Sequence, residues 1–118
     1  MTLREVASEL PAEVLCGEDE ALDSQLSTVA SGDLMSDILA RLGTPDMLLT
    51  GLVTSQMIRT CSVSSIRSVM VVRGKQVRDD LVKLAQEEDI VLMVTNKSMF
   101  AASGLLYSMG LRSGVETD

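Results

Sequence analysis

Hydrophobic positions along the first third of the chain alternate between a helical and an extended spacing. Residues 2–10 carry apolar side chains on one helical face, with Thr2 as the predicted N-cap and Pro11 as the stop. Residues 12–16 predict a short strand and residues 25–30 a second, weaker one. We expect Gly17 and the acidic residues 18–20 between them to form a turn whose acids are solvated.

The segment VASGDLMSDILARL, residues 29–42, places polar residues directly before an apolar helical stripe. The stripe consists of Leu34, Met35, Ile38, Leu39 and Leu42. We interpret Ser31, Gly32 and Asp33 as the N-terminal cap of a helix over residues 33–42, which Gly43 would end. Asp33 and Asp37 lie four residues apart on one helix face, so a weak cation site or an acid pair is a second interpretation. Two carboxylates alone make a poor site, and we favour capping.

Three strand–helix units follow, over residues 47–62, 68–87 and 90–109. Their strands, 47–52, 68–72 and 90–95, and their helices, 55–62, 76–87 and 98–109, predict parallel strands joined by crossovers. Strands such as SVMVV and IVLMV are apolar throughout, as expected when helices cover both faces of a sheet. The predicted fold class is α/β, a single three-layer domain with a mostly parallel sheet and irregular or antiparallel pairing at one edge. We expect it to span residues 1–112, followed by a flexible tail at 113–118.

Composition and charge exclude several classes of partner. The 118 residues carry a net charge of −7 with an isoelectric point of about 4.5, and their ten basic residues are scattered. Nucleic acids and anionic membranes require clustered Lys and Arg, so we expect neither as a partner. The sequence contains no apolar run of about 20 residues and no secretory signal pattern, from which we predict a cytoplasmic location.

The residues that usually perform catalysis or hold metals are scarce. The chain has no His and two cysteines, Cys16 and Cys61, which removes the usual ligands of zinc and iron–sulfur centres and the His-based nucleophile pairs. Gly74-Lys75 is followed by Gln76, so the phosphate-binding loop motif of kinases is absent. We therefore expect no metal, no cofactor and no enzymatic activity.

Several short motifs occur in a particular order along residues 2–111. They are AEVLCG after the first helix, G-x-x-x-S-D at 32–37, D-x-x-x-T at 46–50, a hydrophobic strand ending in Gly74, the strand IVLMVT, and S-x-F-x-x-x-G-x-L-Y at 98–107. In this order the chain resembles the DRTGG domain family.

The resemblance implies a fold like that of the N-terminal domain of HPr kinase/phosphorylase. DRTGG domains occur in phosphotransacetylases and between the CBS modules of regulated pyrophosphatases, where they serve as regulatory, dimer-forming units and not as the catalytic part. The resemblance therefore implies a non-catalytic regulatory module. An alternative is an accessory protein of a hydrogenase, electron-transfer or HPr-kinase-type system, as some similar small proteins are labelled.

Polar residues follow the carboxyl ends of the predicted parallel strands, where open α/β sheets bind ligands. The candidate ligand-binding residues are Thr54, Ser55, Arg73, Gly74, Asn96 and Lys97. Free amides at helix starts and nearby cations would suit a small anionic ligand or nucleotide, held without turnover. Ordinary turns and N-caps explain the same residues without a ligand.

The last predicted helix has two apolar stripes, and packing against the sheet accounts for one of them. The other is the candidate interface of a homodimer or with a protein partner. Its expected contact residues are Met99, Ser103, Leu106 and Tyr107.

Overall fold

A computed structural model describes residues 1–40 and 44–113 of the chain, in which helices alternate with strands. The elements are α1 (Leu3–Glu9), β1 (Ala12–Cys16), α2 (Asp19–Leu22), β2 (Val29–Ser31), α3 (Met35–Leu39), β3 (Met47–Thr50), α4 (Ser55–Val63), β4 (Ser68–Val71), α5 (Asp79–Glu87), β5 (Val91–Thr95) and α6 (Met99–Ser108). The predicted positions of Leu42, Gly43 and the tail beyond residue 113 lie outside the described residues, as does the side chain of Leu39.

The strands form one sheet in the order β1-β5-β4-β3-β2. Strands β2 to β5 run parallel to one another. Strand β1 pairs antiparallel with β5, and Ala12 lies opposite Thr95 in this pair. The predicted mostly parallel sheet with antiparallel pairing at one edge is therefore confirmed.

Helices cover both faces of this sheet, which confirms the predicted three layers. On one face, Met47 and Leu49 of β3 belong to a buried cluster with residues of α1 and α6. On the other, Leu48 of the same strand belongs to a cluster with residues of α3, α4 and α5. Successive strand side chains point to opposite faces, so an entirely apolar strand supplies both cores.

Two elements of the first half differ from their predictions. Asp19 and Glu20, expected within a solvated turn over residues 17–20, begin the short helix α2, whose Leu22 is buried in the core. The helix expected from residue 33 begins at Met35, with Leu34 at its N-cap and no side chain bonded there. The predicted capping role of Asp33 is therefore wrong.

Side-chain caps fix the helix starts elsewhere. Thr2 and Glu5 form a reciprocal capping box at α1, as the predicted N-cap requires. Thr54 accepts a hydrogen bond from the backbone of Met57, and Ser98 accepts one from Ala101. These caps set where α4 and α6 leave the sheet.

Candidate functional site

The parallel strands all end at one side of the sheet, here called the carboxyl edge. It consists of the segments that follow β2, β3, β4 and β5, at residues 32–34, 51–54, 72–78 and 96–98. All six predicted ligand-binding residues lie in these segments or, for Ser55, at the first residue of the next helix.

Backbone hydrogen bonds join the segments after β4 and β5. The Arg73 amide donates to the Lys97 carbonyl at 2.8 Å, and the Gly74 amide donates to the Thr95 carbonyl at 2.8 Å. Arg73 and Gly74 both have positive φ angles, 65° and 59°. A left-handed pair suits the reversal that turns the chain from β4 toward α5, and it holds Gly74 against Asn96.

Asp33 reaches across the edge to the end of β3. Its Oδ1 accepts hydrogen bonds from the Gly51 amide at 2.7 Å and from the Thr50 hydroxyl at 3.1 Å. Its Oδ2 lies 4.0 Å from the Arg73 guanidinium. The Gly51 bond, followed by the Thr50 bond and the charge of Arg73, holds the pKa of Asp33 below its usual range against the opposing effect of partial burial.

Asp33 is the residue at the carboxyl edge to which the sequence interpretation assigned the wrong role, that of a helix cap. Its carboxylate accepts the hydrogen bond of the Gly51 amide and lies near the Arg73 guanidinium. These are two groups that would otherwise attract an anionic ligand. The one available signal is its position two residues after a strand, at an edge shared with Thr50.

A cavity of about 420 Å³ opens between the segment after β4 and the edge strand β1. Its lining includes Glu13, Leu15, Lys75, Val77, Val94 and Asn96, together with Gly74. Of the six predicted residues, Gly74 and Asn96 line this cavity, whereas Thr54, Ser55, Arg73 and Lys97 do not. The structure thus separates the predicted residues, because Gly74 and Asn96 line the cavity beside β1 whereas Arg73 lies near Asp33 outside it.

Charge is distributed unequally between the two ends of the sheet. The segments after β3, β4 and β5 contain Arg73, Lys75, Arg78 and Lys97 and no acidic residue. Arg73 lies near Asp33 and Arg78 pairs with Asp80, while Lys75 and Lys97 form no ion pair with any described residue.

At the opposite, amino edge, acidic residues predominate. They are Glu18, Asp19, Glu20, Asp23, Asp46, Glu88 and Asp89. A cavity of about 600 Å³ there is lined by residues that include Glu18, Glu20 and Asp89. The acidic lining makes this cavity unfavourable for an anion.

Both cysteines lie inside the protein. Cys16 and Cys61 are free thiols in the same core cluster, and burial raises the pKa of Cys61 to about 11. Within residues 1–40 and 44–113, no three His, Cys, Asp or Glu side chains come together as a metal site would require. No helix in that part of the chain is long and apolar enough to cross a membrane.

Helix α6 contains no charged residue, and the Arg112 guanidinium lies 4.0 Å from the centroid of its Tyr107 ring. Phe100 is 90% exposed and Tyr107 is 53% exposed, one on each side of Gly104 along the helix. Met99 and Ser103 are half-buried, and the Ser103 hydroxyl lies 3.3 Å from that of Ser31.

Leu106 does not belong to this surface. It is 2% exposed and packs in the core between α6 and the sheet, so its predicted interface role needs correction. Leu106 lies four residues after Ala102, which is also buried. The two side chains therefore share one helix face, and this is the face that the sheet covers.

Replacing Gly74 by Ala is expected to destabilise the domain by about 1–2 kcal/mol, because a side chain disfavours its φ of 59°. The added Cβ would also collide with Oδ1 of Asn96 and displace that side chain from the cavity. Urea denaturation measures the effect. The matched control is Gly32→Ala, where an added Cβ meets nothing within 4 Å. Equal losses in both variants would contradict the prediction.

Comparison with known proteins supports the sequence resemblance. The family model of the DRTGG domain matches residues 5–109. A similar solved structure is that of the CBS and DRTGG domains of the regulatory region of Clostridium perfringens pyrophosphatase, complexed with the activator diadenosine tetraphosphate. It matches with a TM-score of 0.71 and 17% identity, over 89% of this chain and 45% of that chain, so this chain spans less than half of that structure. No curated protein matches the sequence.

Proposed function

This chain belongs to the DRTGG domain family, and we propose that it is a non-catalytic regulatory module that binds a small anionic ligand at the carboxyl edge and forms a homodimer. The pyrophosphatase structure, in which a DRTGG domain is part of a regulatory region, supports the regulatory role. The likeness to the N-terminal domain of HPr kinase/phosphorylase stays a prediction.

The observation on which the ligand proposal depends is the concentration of positive charge in three adjacent segments of an acidic protein. With a net charge of −7, the molecule repels anions from most of its surface. Lys75 and Lys97, which form no ion pair with a described residue, provide two cations at the carboxyl edge. An anion that approaches the protein is therefore directed to this edge.

The polar groups there are arranged for binding rather than turnover. The hydroxyls of Thr50, Thr54 and Thr95 take part in hydrogen bonds that fix loops or helix starts. Asp33, with a lowered pKa, is ionised at neutral pH and is bonded to the Gly51 amide, so it makes a poor general base. These contacts favour a site that senses its ligand without changing it.

The electron-transfer alternative gains no support from the cysteines. Both thiols are buried, and a thiol with a pKa near 11 is a weak metal ligand at neutral pH because the thiolate is the form that binds.

We propose α6 as the homodimer surface. None of its ten residues is charged, and Phe100 exposes nearly its whole ring. An added Cβ at Gly104 would meet nothing within 4 Å, so packing inside the monomer does not require glycine there. A glycine flanked by exposed aromatics permits close approach of a partner helix. The expected contacts are Met99, Phe100, Ser103, Gly104 and Tyr107.

Thermal unfolding in the presence of phosphorylated metabolites tests the ligand proposal. A ligand at 100 times its Kd raises the free energy of unfolding by about 2.7 kcal/mol, which is readily visible as a higher Tm. We expect at least one nucleotide or sugar phosphate to produce such a shift, and Lys75→Ala to reduce it.

The control is Lys83→Ala, which removes the same charge from an exposed position on α5 away from the cavity lining. An equal reduction by Lys83→Ala would indicate general charge attraction instead of a site. If no phosphorylated compound raises the Tm of the unmodified protein, the ligand proposal is wrong.

A further inference from the structure

The cavity beside β1 combines a polar rim with an apolar floor. Leu15 and Val94 come from the paired strands β1 and β5, and Val77 comes from the segment that leads into α5. All three are half-buried and pack against the core cluster of that sheet face. Lys75 and Asn96 lie at the rim and are exposed.

The floor lies on one face of the paired strands β1 and β5. Glu13 lies directly opposite Val94 in the antiparallel pair, and Leu15 lies in the β-bulge between Val14 and Cys16. Leu15 and Val94 pack against the same core cluster, so both side chains belong to this face of the sheet. The volume of about 420 Å³ lies within the usual range of small-molecule sites, which begins at roughly 300 Å³.

From these contacts we propose that the cavity binds a nucleotide whose base carries an amino group, as adenine does, with the base on Leu15, Val77 and Val94 and a phosphate at Lys75 and Asn96. The inference rests on the proposed anion-binding function and specifies its ligand class. A free phosphate or sugar phosphate would leave the apolar floor in contact with water, whereas a base removes it from water.

Glu13 determines the kind of ring. Its carboxylate lines the same cavity and can only accept hydrogen bonds, so it selects a ring that carries an amino group. A hydrocarbon tail would be disfavoured beside this charge because burial of a carboxylate without a donor costs free energy. A base with a carbonyl at the corresponding position would place an acceptor against an acceptor.

Isothermal titration calorimetry with four ligands tests this assignment: adenosine monophosphate, inosine monophosphate, ribose 5-phosphate and inorganic phosphate. The adenine and hypoxanthine nucleotides differ at the amino group, and ribose 5-phosphate lacks the base. We expect adenosine monophosphate to bind about tenfold more tightly than inosine monophosphate, as one hydrogen bond to a charged group provides. It should also bind more tightly than ribose 5-phosphate and inorganic phosphate, which leave the apolar floor in contact with water.

The variant Glu13→Ala should lower the affinity for adenosine monophosphate about tenfold and raise that for inosine monophosphate, because removing the carboxylate also removes the acceptor–acceptor contact. Its matched control, Glu9→Ala, removes an exposed carboxylate of α1 that does not line the cavity and should change neither affinity. Methyl NMR signals of Leu15, Val77 and Val94 should shift on titration with adenosine monophosphate.

Two outcomes would overturn the inference while the anion-binding function stands. One is equal affinity for adenosine monophosphate and ribose 5-phosphate. The other is nucleotide binding that shifts the Thr50 and Gly51 signals and leaves the three floor methyls unchanged. If none of the four compounds binds while another phosphorylated metabolite raises the Tm, the nucleotide assignment alone is wrong. If no phosphorylated compound of any kind binds, the proposed function fails as well.

Discussion

Replacing Leu106 by Glu is expected to unfold the domain, whereas replacing Phe100 by Glu on the same helix is expected to leave it folded. Leu106 is 2% exposed in the core cluster, so the variant loses the burial of a leucine and places a carboxylate among apolar groups. The combined cost exceeds about 5 kcal/mol, which matches the total stability of many small domains.

Phe100 is 90% exposed, and a charge at its position meets solvent within the monomer. In the proposed dimer, the same charge would lie between two uncharged helices and disfavour association. Circular dichroism should therefore show a loss of structure for Leu106→Glu and an unchanged spectrum for Phe100→Glu. Analytical ultracentrifugation should show Phe100→Glu as a monomer and the unmodified protein as a dimer at micromolar concentration.

The two variants test two independent statements, the core position of Leu106 and the dimer interface on α6. A folded Leu106→Glu protein would contradict the core position of that side chain. A monomeric unmodified protein, or a Phe100→Glu variant that stays dimeric, would rule out α6 as the interface without affecting the fold.

Replacing Asp46 by Ala is expected to destabilise the domain by about 3 kcal/mol at neutral pH. Asp46 Oδ2 accepts hydrogen bonds from the Ser27 amide at 2.8 Å, the Ser27 hydroxyl at 3.1 Å and the Thr28 amide at 3.1 Å. These bonds attach the chain before β2 to the start of β3. Hydrogen bonds to a charged group contribute about 1.5–3 kcal/mol each, and water replaces part of that contribution at this half-buried position.

The effect should depend on pH. Partial burial alone would raise the pKa of Asp46, but the bonds from Ser27 and Thr28 together hold it below its usual range. A carboxyl group with a lowered pKa in the folded state contributes stability above its unfolded pKa, near 4, and this contribution is lost as the pH falls through the folded value. The deficit of Asp46→Ala relative to the unmodified protein should therefore shrink at pH 3.

Urea denaturation at pH 7 and pH 3 measures both effects. Asp37→Ala, which removes an exposed carboxylate of α3, serves as the control and should change stability by less than about 0.5 kcal/mol. A deficit for Asp46→Ala that is equal at the two pH values would show that the charge of Asp46 does not contribute.

The sequence predicted the parallel core because its signals there are local. Strands β4 and β5 are apolar at nearly every position, and Thr54 and Ser98 cap the helices that flank them. Helix α2 was missed because two of its four residues, Asp19 and Glu20, are exposed acids. The burial of its Leu22 depends on packing against α1.

The site was predicted in part for a related reason. Gly74 and Asn96 follow adjacent parallel strands, so their proximity could be expected from the fold class alone. The role of Asp33 depends on the register of β2 against β3, which places Ser31 opposite Leu49 and so brings Asp33 to Gly51. The cavity residues Glu13 and Leu15 depend on which edge the antiparallel strand β1 joins, and the local pattern does not specify that edge.

The position of β1 in the sheet has a consequence for folding during synthesis. Strand β1 is the first of the five strands to be synthesised, but Ala12 finds its partner only in Thr95, about 80 residues later. At a translation rate of about 5–20 residues per second, β1 waits roughly 4–16 s before β5 exists to receive it. During that interval the apolar face of α1 has no completed sheet to cover it, and chaperone binding to the nascent α1 segment would be most useful then.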